Sequence, residues 1–174
     1  MEEKTIYGNG PVYLKFLTAE QYEQLNSPTC SSVHCFPIKD NEILFTINPR
    51  GLDIIGGHVE KGETPEQALI RESKEEACII PINFKLIGAI QVDNRDNPDS
   101  IKKGYPEKGY QLFYVVSEYE TLDLKVDFES TGRKYIKPED IKQQHHNWLN
   151  THQTLVEHMF ELINTNSAYK KMRL

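Results

Sequence analysis

Three glutamates, Glu72, Glu75 and Glu76, stand at i, i+3 and i+4 in the stretch Arg71-Glu72-Ser73-Lys74-Glu75-Glu76-Ala77. In a helix that spacing puts all three carboxylates on one face, about one turn apart. Like charges so close repel by roughly 0.2–0.5 kcal/mol per pair on an open surface. A bound divalent cation reverses the sign of that term, and hard carboxylate oxygens suit Mg²⁺ or Mn²⁺ better than zinc or copper. A cation held this way can sit against a diphosphate. Acid-rich helices also occur as plain solvated faces, so the glutamates alone do not decide between the two readings.

The elements that must position these acids narrow the choice. Thr64 is a good N-cap, Pro65 falls at the first helical position, and Gln67 completes a capping-box pattern. From Glu66 to Ala77 there is neither Gly nor Pro, which predicts a helix over about 65–77. Gly56-Gly57 follow the run Leu52-Asp53-Ile54-Ile55 and let a backbone carbonyl or N–H approach a ligand closely. Gly62 suits a second tight turn just before Glu63. Arg71 can pair with Glu75 at i+4, or orient Glu63 through two parallel bonds.

The stretch from Gly57 to Ile79 resembles the Nudix box, the signature of the Nudix hydrolase family. The family pattern is Gly, five residues, Glu, seven residues, Arg-Glu, an aliphatic residue, any residue, Glu-Glu, any residue, Gly and an aliphatic residue. Gly57, Glu63, Arg71, Glu72, Glu75, Glu76 and Ile79 fall on it without a gap. Two positions depart: Ser73 replaces an aliphatic residue and Cys78 replaces the glycine. Ser73 weakens apolar packing and needs a hydroxyl partner, such as a backbone carbonyl one turn back. Cys78 costs roughly 1–2 kcal/mol if the left-handed C-cap conformation is kept.

The resemblance implies an α+β fold, an α/β/α sandwich over a mixed sheet with the box helix packed on it. It also implies a metal-dependent pyrophosphohydrolase acting on a nucleoside diphosphate linked to another moiety. On that basis Glu72, Glu75, Glu76 and the carbonyl of Gly56 are the expected ligands for Mg²⁺ or Mn²⁺. Glu63 and Arg71 are expected to hold the helix carboxylates in place. Glu72 and Glu76 are candidate bases, and so is Glu129 in the acidic segment Asp127-Phe128-Glu129, because some members draw a carboxylate from outside the box. Family members often dimerise, which leaves a homodimer open. The alternatives are a catalytically silent nucleotide-binding or regulatory domain, another enzyme such as an isomerase on the same fold, and a plain structural module with an acidic helix. Loss of box carboxylates would favour the silent domain, and none is lost.

Composition bounds the rest. The 174 residues suffice for one domain, 1–174, with an N-terminal extension over about 1–28 and a C-terminal helix over about 151–163. A net charge of −6 argues against long nucleic acid as a partner, since phosphate contacts need Lys and Arg patches. A small polyanion remains compatible, because bound metal supplies local positive charge. Cys30, Cys35 and Cys78 make an odd count; Cys30 and Cys35 lack the second pair a zinc site needs. With no apolar run long enough for a bilayer and no leader, a cytoplasmic location is expected, with no membrane partner.

Strands are predicted over 12–17, 32–38, 42–47, 52–55, 83–92, 110–116 and 133–136, with a short helix over 18–25 and a hairpin turn at Lys39-Asp40-Asn41. The stretch 94–108, rich in Asn, Asp, Pro, Gly and Lys, reads as a long loop with a functional role. Arg50 and His58 are candidates for touching substrate phosphate, and Arg95, Lys102, Lys103 and Tyr105 of the long loop are candidates for contacting base or phosphate. His145, His146 and His152 lack ligand spacing to the box and are expected to face solvent.

Overall fold

Alternation along the strands assigns each apolar residue to one of two layers. In strand β3 (Cys30–Lys39) Val33 and Cys35 join one buried cluster, and Phe36 and Ile38 join the other. In β8 (Lys108–Thr121) Leu112, Tyr114 and Val116 join the first, and Phe113 and Val115 the second. This two-residue period is what a sheet covered on both faces requires. One face is covered by helix α2 (Pro65–Ala77), through Ala68, Leu69 and Ala77. The other is covered by α5 (Asn150–Thr165), through Leu155, Val156, Met159 and Ile163. The computed structural model describes residues 2–124, 130–169 and 172.

The remaining elements are β1 (Glu2–Tyr7), β2 (Gly10–Thr18), α1 (Ala19–Glu23), β4 (Glu42–Asn48), β5 (Gly51–Asp53), β6 (Ile55–His58), β7 (Ile79–Asp93), α3 (Pro98–Lys102), β9 (Gly132–Ile136) and α4 (Ile141–Gln144). A 3₁₀ turn at Pro138–Asp140 leads into α4. The main path of the sheet is β1-β2-β7-β8-β3-β4-β5, with β6 added to β3 and β9 to β4. β3 and β8 run parallel, and the other pairs are antiparallel. The fold is therefore an α/β/α sandwich on a mixed sheet, as the resemblance implies.

The sheet forks at β3. Ser32 to Cys35 pair with β6, whereas Ile38 and Lys39 pair with β4. Pro37, which has no N–H to give a ladder, falls in the gap. The fork splits the strand predicted over 52–55: residues 51–53 pair with β4, and residues 55–58 cross to β3. That crossing carries the glycine pair to the edge of α2. The hairpin turn narrows to Asp40 and Asn41, both with positive φ, as a two-residue hairpin loop requires.

β1 has no counterpart among the predicted strands, because Glu2–Tyr7 shows no clean alternation. Its role is explained by a partner far along the chain. Glu3 accepts hydrogen bonds from the N–H groups of Asn150 (3.0 Å) and Thr151 (2.8 Å) and from both side chains. α5 begins after Leu149, which has no side-chain oxygen, so a carboxylate from β1 caps the helix instead. Burial alone would raise the Glu3 pKa, but the bonds from Thr151 and Asn150 outweigh it and hold the carboxyl below its ordinary 4.5. A lowered carboxylate pKa stabilises the fold above 4.5, and that contribution is lost as pH falls through the lowered value. Glu3→Ala is expected to cost about 1 kcal/mol at neutral pH. In urea titrations the gap between variant and wild type should shrink below pH 4.5.

The 94–108 stretch is more ordered than a free loop. It contains α3, capped by the Asn97 side chain, which accepts from the N–H groups of Asp99 and Ser100. The same side chain donates to the carbonyls of Tyr7 and Gly10 and so ties the stretch to the β1–β2 turn. No helix among the described residues is long and apolar enough to cross a membrane.

Candidate active site

α2 starts as its sequence dictates. Thr64 Oγ1 accepts from the Gln67 N–H (3.2 Å), Gln67 Oε1 accepts from the Thr64 N–H (2.9 Å), and Pro65 stands in the first turn. The helix buries Ala68, Leu69, Ser73 and Ala77, and this sets Glu72 and Glu76 at the margin of the sheet while Glu75 stays about half exposed.

Arg71 organises the acids. Its Nε and Nη2 reach the two oxygens of Glu63 at 2.8 and 2.9 Å, the bidentate geometry, and its Nη1 reaches Glu72 (2.8 Å) and Glu75 (3.1 Å). Nη2 also donates to the His58 carbonyl at 2.9 Å. Both partnerships open to Arg71 on its spacing thus form. Hydrogen bonds from Arg71, then from the Glu60 N–H, hold the Glu63 carboxyl near 2. The carboxylates around it, Glu63 first and then Glu72 and Glu75, push Arg71 above its already high value.

The glycines meet the helix at two points. The Gly56 N–H donates to Glu76 Oε2 at 2.8 Å. Gly56 has φ +147, and a Cβ there would fall on the Val33 carbonyl oxygen, so only glycine fits. A Cβ on Gly57 would overlap the Glu72 carboxyl. The missing side chain at 57 is therefore the space in which Glu72 lies. Hard oxygen donors on one helix face, with a carboxylate cradled against glycine backbone, fit a Mg²⁺ or Mn²⁺ ion in chemistry. Among the described residues, no three His, Cys, Asp or Glu side chains already converge on one point.

The two departures from the box have clear surroundings. Ser73 is fully buried, and its Oγ lies 3.5 Å from Cys35 Sγ, a thiol that burial pushes up to about 12. The partner is thus a side chain of β3, in place of the expected carbonyl one turn back, because position 73 faces the sheet. Cys78 takes the left-handed cap conformation itself, φ 50 and ψ 46.

The outlying candidates differ in placement. The exposed Arg50 donates to Asp53 Oδ2 at 2.9 Å. The His58 ring is exposed and faces Tyr105 of the 94–108 stretch, with ring centres 6.2 Å apart. Arg95 follows β7, with β8 and β3 between it and β6, and is engaged elsewhere: with Glu2 (3.1 Å), Asp93 (3.3 Å) and the face of Tyr13. Glu129 lies outside the described residues.

The histidines expected in solvent prove otherwise, His146 excepted. His145 is buried, stacked on His146 and set edge-on to Trp148. Its Nδ1 accepts from the Asn147 N–H, and its Nε2 lies 3.6 Å from Asp53 Oδ1. Burial would raise the Asp53 pKa, but His145, Asn48 and Arg50 outweigh it and bring it to about 2. His152 is half-buried, and burial drives it down to about 4. His34, which no local signal singles out, pairs with Gly56 across β3 and β6 and stacks on Phe113. Burial, then the neighbouring His152, lowers it to about 4. Both rings are neutral at pH 7. The proximity of His34 to Gly56 depends on strand register, which is why its sequence neighbourhood does not reveal it.

Comparison with known proteins agrees with this geometry. The family profile described as NUDIX domain matches residues 28–159. The chain belongs to the Nudix family. A 71-residue stretch is 38% identical to the 8-oxo-dGTP diphosphatase of Haemophilus influenzae, covering 40% of this chain and 44% of that one. A 45-residue stretch is 44% identical to the enzyme of the same name from Escherichia coli K12, covering 26% and 35%. The chain thus spans less than half the length of these curated relatives. Among solved structures, a mutant of the Bacillus subtilis pyrophosphohydrolase BsRppH superposes with a TM-score of 0.66 at 23% identity, over 96% of this chain and 98% of that one. The Escherichia coli ORF135 protein gives 0.59 at 22% identity, over 83% and 98%. At these identities the two structures speak to the fold alone.

Proposed function

We propose that this chain is a metal-dependent pyrophosphohydrolase that cleaves a nucleoside diphosphate linked to another moiety. The observation that carries the reading is the Arg71 hub: one guanidinium binds Glu63, Glu72 and Glu75 while the fourth acid, Glu76, is tied to Gly56. Family membership and the names of the curated relatives support the same class of reaction.

In this reading Glu72, Glu75, Glu76 and the carbonyl of Gly56 hold Mg²⁺, with Mn²⁺ as an alternative. The ion, when bound, supplies charge neutralisation on the diphosphate and a lower pKa for the attacking water. Glu63 fixes Arg71, and Arg71 fixes the rotamers of Glu72 and Glu75, so the acids are arranged before substrate arrives. Glu72, Glu76 or Glu129 takes the proton as water attacks phosphorus. The His58 carbonyl is bonded to Arg71, and in this reading His58 and Arg50 are the candidate contacts to the phosphates. Arg95 would act only on a substrate long enough to reach past β3 and β8.

The deciding experiment is a panel of nucleotides incubated with Mg²⁺, including 8-oxo-dGTP, nucleoside triphosphates, dinucleoside polyphosphates, nucleotide sugars and ADP-ribose. Products identified by chromatography locate the broken bond. Turnover of at least one member is expected, and excess chelator should abolish it. Full activity in chelator would rule out the metal mechanism. Nucleotide binding without turnover of any member would favour the silent regulatory domain.

A further inference from the structure

The last turn of α2 carries Glu75 and Glu76, and its end is held in an unusual way. Helices leave their final carbonyls without intrahelical partners, and a glycine in the left-handed conformation is the common terminator. Here Cys78 adopts that conformation although its Cβ makes it unfavourable. The terminal carbonyls are nonetheless satisfied from outside. Arg133 of β9 donates through Nη1 to the carbonyls of Ala77 (2.8 Å) and Cys78 (3.1 Å), and through Nη2 to that of Leu122 (3.1 Å). The Leu122 N–H returns a bond to the Cys78 carbonyl at 2.8 Å. One position earlier in the helix, the Glu76 carbonyl accepts from Thr46 Oγ1 (2.9 Å) and from Ser130 Oγ. Thr46 and Arg133 are direct partners across β4 and β9, so one cross-strand pair grips the helix end.

The geometry points to Arg133 as a positioning residue for the Glu75–Glu76 carboxylates, tying down the Ala77 and Cys78 carbonyls while the strained Cys78 cap bonds the Lys74 carbonyl through its own N–H. A guanidinium suits the task because its planar fork serves several carbonyls at once, and its charge lies at the negative end of the helix dipole. Glu76 is thereby fixed at both ends: its carbonyl on β4 and its carboxylate on the Gly56 N–H of β6. Releasing Arg133 lets the last turn fray, and Glu76 loses its set position relative to the glycine pair.

The inference rests on the metal-dependent reading, and its test separates the two. Mn²⁺ binding is measured by water-proton relaxation on the full chain, together with amide hydrogen exchange over residues 74–79. Arg133→Ala should weaken Mn²⁺ binding roughly tenfold and raise exchange in that segment first. Arg133→Lys should fall between, because one ammonium cannot serve three carbonyls as a fork does. Cys78→Gly added to Arg133→Ala should restore most of the Mn²⁺ affinity, since glycine takes the left-handed cap without strain. A purely structural arginine would lower the melting temperature without moving Mn²⁺ affinity in folded protein at low temperature. That result, or failure of Cys78→Gly to restore binding, overturns the inference. Should Arg133→Ala not fold, the Mn²⁺ affinities of Arg133→Lys and the double variant decide the question in the same way. Wild-type protein that takes up no Mn²⁺ would overturn the metal reading itself and this role with it.

Discussion

Glu76→Gln and Glu72→Gln are each expected to slow hydrolysis at least about tenfold, as losses at metal sites do, while the fold survives. Glutamine keeps the shape and one acceptor oxygen. At position 76 that oxygen can still receive the Gly56 N–H, which Glu76 now binds at 2.8 Å. At 72 the loss of charge also removes the ionic half of the contact with Arg71 Nη1. The main change is therefore one unit of negative charge where the proposed ion would sit. Activity against Mg²⁺ concentration is the informative measurement, since weaker binding of the ion should be partly overcome by more of it. Unchanged turnover in both variants, with intact circular dichroism, would contradict the assigned metal role.

The glycine pair offers a second large effect, and its two members should fail differently. Gly57 has an ordinary φ, and the three atoms nearest an added Cβ there all belong to the Glu72 carboxyl, the far end of a flexible side chain. Gly57→Ala should therefore leave the protein folded while displacing Glu72, with turnover falling about tenfold or more. Gly56 has φ +147, and its added Cβ would strike the Val33 carbonyl oxygen and His34 Cα, neither of which can give way without opening the β3–β6 ladder. Gly56→Ala should cost about 2–4 kcal/mol. For a chain of this size that corresponds to a fall of roughly 5–15 °C in Tm. Calorimetry and kinetics on the two variants separate these outcomes. Equal losses of stability at both positions would mean that Glu72 does not occupy the space beside Gly57.

Local signals read the geometry of α2 and its leading turn well because its parts are close in sequence. The capping box, the one-face spacing of Glu72, Glu75 and Glu76, and the reach of Arg71 all lie within a single helix and its leading turn. Helical geometry then leaves little freedom. The sandwich is legible for a similar reason, since strand alternation and a capped helix are short-range patterns. Readings that need a distant partner fail. Ser73 finds Cys35, His145 finds Asp53, and Glu2–Tyr7 becomes a strand whose Glu3 caps a helix near the other end of the chain.

The amino-acid order by itself determined the acidic helix, its start and the turn at Gly62 just ahead of it. Each of these follows from torsional preference and spacing over a few residues. Only the tertiary structure decided that Gly57 leaves room for Glu72, that His34 lies beside Gly56 and that Arg133 closes the helix end. Those contacts are set by strand register and by the fork at Pro37. Register is a collective result of packing two faces at once, and no single segment of the chain encodes it.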